Sequence, residues 1–86
     1  MSESRIGVVG IVIEPEGNVA RINEILHNHS DIIVGRMGLP NVGNREISVI
    51  SVVVDGGTDA IGSLTGRLGA INGVNVKSAL SKKSYA

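Results

Sequence analysis

Apolar residues recur along this chain with two different periods, one typical of strands and one of helices. Positions 5–13 and 46–54 are rich in Val and Ile and are apolar on both alternating faces, which predicts two strands that are covered on both sides. Positions 19–29 and 59–68 repeat their apolar residues at helical spacing. Shorter apolar runs at 32–39 and 74–80 predict two further strands, so the predicted order is βαββαβ.

The second half of the chain repeats the first. ISVISVVV at 47–54 resembles IGVVGIVI at 6–13, and an acid follows each run, Glu14 and Asp55. A βαβ unit that occurs twice predicts an α+β, ferredoxin-like sandwich: a four-stranded antiparallel sheet with two helices on one face. The first and third strands should lie in the centre and the second at an edge. Residues 1–86 are expected to form this single domain.

Polar segments between these runs predict where the helices begin and end. Asn18 and Thr58 precede apolar helical patterns and are expected to be N-caps. Gly69 follows the second pattern and is expected to end that helix in a left-handed conformation.

The two central strands predict self-association. Two helices can cover only one face of a four-stranded sheet, and the other face would leave a large apolar surface in water. We therefore expect a homodimer or homotetramer, formed through the open face or through a strand edge. The first strand divides its apolar side chains between its two faces as Ile6, Val8 and Val12 against Val9, Ile11 and Ile13.

Composition narrows the classes of function. The chain has no Cys, Trp or Phe, one Tyr, and a formal net charge of zero. These features disfavour thiolate metal sites, cysteine nucleophiles and direct nucleic acid binding, which needs a basic surface or stacking aromatics. No apolar run is long enough to span a bilayer, and the N-terminus lacks a signal peptide pattern, so a cytoplasmic location is expected. His29, Ser30 and Asp31 are adjacent and would not converge as a catalytic triad, so we predict no enzyme and no cofactor.

The segment between the first strand and the first helix is the leading candidate for a ligand site. Free backbone N–H groups at a helix start can receive a ligand, and Gly17 would permit close approach to the main chain. Glu14 and Glu16 disfavour phosphate and favour an amine-bearing or neutral ligand. We predict ligand contacts from Glu14, Gly17 and Asn18, with a simple turn as the alternative.

Arg36, the glycines of the second helix and the two histidines each have more than one interpretation. Arg36 lies among glycines on the predicted edge strand, where it would line a subunit interface or ligand, or protect the edge from uncontrolled pairing. Gly62, Gly66 and Gly69 in the second helix would admit a partner helix or simply lower the helix propensity.

The two histidines, His27 and His29, lie about 200° apart on a helix. We therefore predict that His29 is half-buried and that His27 is exposed. A metal shared between subunits is the alternative.

Two resemblances add to this interpretation. IVIEPEGNVARINEIL resembles the strand, turn and helix that form the effector site of ACT domains. A closer likeness covers nearly the whole chain, with SDIIVGRMGLP as its most distinctive part: RIGVVGIVIE, INEILH, ISVISVVVDG and GVNVKSALSK are similar to the iron-only hydrogenase system regulators. The resemblance implies an ACT-like fold, similar also to the C-terminal sensing domain of the nickel-responsive repressor.

The resemblance implies a regulatory role linked to [FeFe] hydrogenase. The first hypothesis is an oligomeric small-molecule sensor whose ligand lies between the turn of Glu14, Gly17 and Asn18 and Arg36 of a neighbouring subunit. The alternatives are a structural adaptor that contacts hydrogenase maturation proteins, and a metal-binding sensor that uses His27 or His29.

Overall fold

A computed structural model describes residues 3–86 and shows one antiparallel sheet with two helices on one side. The sheet order is β2-β3-β1-β4, with β1 and β3 in the centre, as the repeated βαβ pattern predicts. The ferredoxin-like prediction is confirmed. The elements are β1 (Arg5–Ile13), α1 (Val19–Asn28), β2 (Ile33–Leu39), β3 (Ser48–Gly56), α2 (Thr58–Gly69) and β4 (Val74–Leu80), with short 3₁₀ turns at Ser30–Ile32 and Val42–Asn44.

The strand bounds follow the pairing with β1. β1 and β4 begin and end where the sequence predicts. β3 is shifted to 48–56 from the predicted 46–54, because its ladder with β1 runs from Ser48 opposite Ile13 to Gly56 opposite Arg5. The pairing therefore extends β3 past Asp55, into a segment for which the sequence predicts a turn.

The core lies between the helices and one face of the sheet. The buried strand residues include one alternating set on each central strand, and each helix contributes an apolar stripe with the predicted spacing. This is the packing that a period of two and a period of 3.6 predict when one face of each element is buried. The members from β1, β3, α1 and α2 are Val9, Ile11, Ile13, Ile50, Val52, Val54, Ile22, Ile25, Leu26, Ile61, Leu64 and Leu68.

The helix ends agree with the sequence in one case and differ in two. Asn18 is the N-cap of α1, since its Oδ1 accepts a hydrogen bond from the Arg21 N–H at 3.1 Å. The predicted cap at Thr58 is wrong, because Gly57 precedes the helix and Thr58 is its first residue. α2 ends at Gly69, but the predicted left-handed conformation of Gly69 is wrong, because the Ala70 N–H still bonds the Gly66 carbonyl and Ala70 has helical φ and ψ. The first glycine after α2 with a positive φ is Gly73, at 79°.

The other face of the sheet, which we call the open face, has no helix over it within residues 3–86. It contains the alternate residues of every strand, and many of them are apolar and exposed. They include Ile6 (44%), Val8 (45%), Val53 (39%), Met37 (62%) and Leu39 (55%). Within residues 3–86, no helix is long and apolar enough to cross a membrane.

Candidate functional site

A β-bulge determines the direction of Arg36. The β2–β3 register shifts between Ile33 and Gly35, so that Arg36 pairs with Val52, whose side chain is in the core. Without the bulge, strict alternation from Ile33 would place Arg36 opposite Ser51, on the open face. Instead the Arg36 Nη2 donates to Asn23 Oδ1 on α1 at 3.1 Å. Arg36 therefore lies on the helix side of the edge strand, held by its own subunit.

Arg36 and Asn23 together divide a groove between α1 and β2, which we call the Arg36 groove. Its two hollows have volumes of about 220 and 200 Å³, and both are lined by Arg36 and Asn23. Most of the other lining is apolar, and none of the described residues that line either hollow has a carboxylate. The first is completed by Leu26, His27, Ser30 and Ile33; the second by Ile13, Val19, Gly38, Leu39, Pro40, Ser48, Val49 and Ile50.

The turn before α1 is tied to the chain itself. The Glu14 N–H donates to the Gly73 carbonyl at 2.8 Å, and the Gly17 N–H donates to the Glu14 carbonyl at 2.9 Å. A Cβ on Gly17 would lie 2.7 Å from Ile13 Cγ2 and 3.3 Å from the Gly73 carbonyl oxygen. The space next to Gly17 is therefore occupied by the Ile13 side chain and by the backbone of Gly73.

The structure therefore separates the predicted site residues into two groups. Glu14, Gly17 and Asn18 do not line the Arg36 groove, although Ile13 and Val19, which flank this turn, do. Asn18 already uses its side-chain oxygen as the helix cap. Ligand contacts from Glu14, Gly17 and Asn18 stay a prediction, and the turn borders the groove rather than entering it.

The two histidines lie on different sides of α1, as their spacing predicts. His27 is exposed and lines the Arg36 groove, whereas His29 is half-buried at the helix C-cap. The His29 Nδ1 lies 2.7 Å from the Ile25 carbonyl oxygen, and because a carbonyl only accepts, Nδ1 bears the proton. Across residues 3–86, no group of three or more side chains of the metal-ligating types His, Cys, Asp and Glu is close enough to hold a metal ion.

Sequence reasoning missed Asn23 and the groove itself. Asn23 follows Val19 by four residues, so both project from the same side of α1 toward β2. The bulge that turns Arg36 toward Asn23 leaves no residue pattern that alternation could detect. The glycines around Arg36 are the one available indication, since glycine in a strand often accompanies a bulge.

The comparisons with known proteins give the family. The model of the family described as "TM1266-like: Iron-only hydrogenase system regulator, putative" matches residues 5–78. The chain belongs to this family. The match spans all four strands and both helices except the end of β4, and it confirms the resemblance inferred from the sequence.

One solved structure supports the same family assignment, and a second supports the fold. The uncharacterized protein TM1266 from Thermotoga maritima is 40% identical, with a TM-score of 0.86 over 93% of this chain and 100% of that one. CPII from Thiomonas intermedia K12 is a nitrogen regulatory PII-like protein, whose structure is bound to ADP, AMP and bicarbonate. It is 16% identical, with a TM-score of 0.51 over 92% of each chain, and this likeness shows the fold alone. No curated protein matches the chain.

Proposed function

We propose that this regulator-family protein is a non-enzymatic domain that senses a small molecule as a homo-oligomer and so controls a component of the iron-only hydrogenase system. The family supports the hydrogenase link. The observation that favours small-molecule binding is the Arg36 groove, where one guanidinium held by Asn23 lies over a mainly apolar surface.

The groove favours a small organic acid with an apolar body. A guanidinium donates to a carboxylate through two parallel N–H groups, and the Asn23 contact occupies only one of the Arg36 nitrogens. Each hollow is smaller than the roughly 300–1,000 Å³ of sites for drug-sized ligands, so the ligand has few heavy atoms. Glu14 at the end of β1, next to the groove residue Ile13, would suit an amine on the same molecule.

The oligomer would form through the open face. Leu39 and Val49 pair with each other on that face and also line the second hollow of the groove. A ligand in the groove would therefore contact residues next to the subunit interface. A ligand that binds one assembly state more tightly than another shifts the population toward it, and this differential affinity is the proposed regulatory mechanism.

Native mass spectrometry of protein purified from its own host tests the groove. We expect a reproducible extra mass per subunit in the wild type and in Arg45→Gln, which makes the same charge change in the loop before β3. Arg36→Gln should lose that mass, because the charged donor to the ligand is gone. Retention of the mass in Arg36→Gln would contradict the proposed site. Glu14→Gln, tested in the same way, shows whether the turn contributes.

A structural adaptor is the second candidate, and the open face is the observation that favours it. Its exposed apolar side chains also suit a hydrogenase maturation protein as partner. The two functions differ in their ligand content. The adaptor would be favoured if the wild-type protein never acquires an extra mass and forms a stoichiometric complex with a purified maturation protein. Val8→Lys should then abolish this complex.

A further inference from the structure

A second cleft lies on the opposite flank of α1 from the Arg36 groove, between α1 and α2. Its volume is about 320 Å³, larger than either hollow of the groove. Most of its lining can donate hydrogen bonds. The lining residues are Arg21, Ile25, Asn28, His29, Ser63 and Arg67, and we call this the α1–α2 cleft.

A chain of hydrogen bonds crosses this cleft and orders its side chains. The Arg67 Nε donates to Ser63 Oγ at 3.3 Å, and Ser63 Oγ lies 3.4 Å from His29 Nε2. Because the His29 Nδ1 donates to the Ile25 carbonyl, the neutral ring presents Nε2 as an acceptor for the Ser63 hydroxyl. Ser63 and His29 are 34 positions apart in sequence, so helix packing brings them together. The Arg67 side chain is thereby anchored through Nε alone.

The charges in the cleft are of one sign. Two of the five arginines of the chain line it, and in the part of the chain that the structure describes no carboxylate does. Arg21 forms an ion pair with Glu24, whereas within residues 3–86 Arg67 has no ion pair and its Nη nitrogens have no hydrogen-bond partner. In a chain of zero net charge, this is a local concentration of positive charge around an anchored guanidinium.

We propose that the α1–α2 cleft binds a phosphate group, either as the free ion or as the monoester of a small molecule. Its donors come from two helices and so do not lie in one plane, which suits a tetrahedral oxyanion better than a planar carboxylate. Arginine is well suited to phosphate because its guanidinium can donate two bonds at once. This site differs from the Arg36 groove in its residues and ligand class, and it does not depend on the proposed sensing function.

An NMR titration of the ¹⁵N-labelled full chain tests this site. Inorganic phosphate, glycerol 3-phosphate and acetate are each added at constant ionic strength. We expect saturable shifts at the backbone of residues 28, 29, 63 and 67 with either phosphate compound, and binding of acetate at least about tenfold weaker. Tighter binding of glycerol 3-phosphate than of phosphate would identify a monoester as the ligand, and the reverse order would identify the free ion.

Matched variants distinguish a site from general charge attraction. Arg67→Gln should weaken phosphate binding at least about tenfold, since a hydrogen bond to a charged group is lost. Ser63→Ala, which removes an exposed hydroxyl that positions Arg67, should weaken it by less. Arg45→Gln should bind phosphate as the wild type does, and unshifted spectra of the unliganded variants would verify their fold. Linear shifts without saturation, equal weakening in Arg45→Gln, or equal binding of acetate would each overturn the proposal.

Discussion

Both faces of the central strands carry large apolar side chains, but their surroundings are opposite. On β1, Ile11 is fully buried under the helices, whereas Val8 and Ile6 on the other face are 45% and 44% exposed. On β3 the neighbours Val52 and Val53 differ in the same way, at 0% and 39%. On β1 the residue types alone do not distinguish the faces, so the helices determine which of its faces is in the core.

This difference indicates what the open face is for. A solvated sheet face in a monomer is usually polar at alternate positions. Here the open face has Ile6 and Val8 on β1 and Val53 on β3, next to the small pair Gly10 and Ser51. The two small side chains leave room for another sheet to approach the central strands. This composition supports the proposed contact with a second copy.

The largest effect is expected when the two faces of β1 are compared by the same substitution. Ile11→Ala should lower the free energy of unfolding by about 2–5 kcal/mol, because it leaves a cavity in the core. Ile6→Ala removes a half-exposed side chain and should cost the isolated monomer less than about 1 kcal/mol. Urea denaturation of both variants measures these values.

Protein concentration provides the control for this pair. The loss in Ile11→Ala should be nearly independent of concentration, whereas the loss in Ile6→Ala should grow with it, because assembly stabilises the folded state by mass action. If neither loss changes with concentration, the open face does not associate under those conditions.

A smaller effect is expected at the cap that holds α1 over the covered face. Asn18→Ala removes the acceptor for the Arg21 N–H and should lower stability by about 1 kcal/mol. Thr58→Ala serves as the comparison. Thr58 makes no cap hydrogen bond, so this substitution should lower stability by only about a few tenths of a kcal/mol. Thermal denaturation followed by circular dichroism measures both; equal losses would contradict the assignment of the caps.

The smallest effect has the opposite sign. Gly62 lies in α2, and a Cβ built on it has no atom within 4 Å beyond its own helix backbone and sequence neighbours. Gly62→Ala should therefore stabilise the chain by up to about 1 kcal/mol through helix propensity. If a partner helix packs closely on this side instead of on the open face, the same substitution would reduce the oligomer fraction in sedimentation experiments.

The sequence predicts the fold well because the fold depends on periodicity. The doubled βαβ pattern, the alternating faces of β1 and β3 and the cap at Asn18 all follow from local residue order. The direction of Arg36 does not, since it depends on a one-residue bulge in the pairing with β3. The α1–α2 cleft is beyond sequence patterns for another reason, because the packing of two helices brings Ser63 to His29.

Sedimentation equilibrium of the wild type beside Val8→Lys and Val42→Lys tests the central claim, that a second copy covers the open face. Val8 lies on the open face of a central strand, between Val53 and Ala79, whereas Val42 is 38% exposed and lies in the 3₁₀ turn between β2 and β3, outside the sheet. We predict a dimeric or tetrameric wild type, a folded monomer for Val8→Lys, and an oligomer as large as the wild type for Val42→Lys. A monomeric wild type, or an oligomer that survives Val8→Lys, would contradict the account.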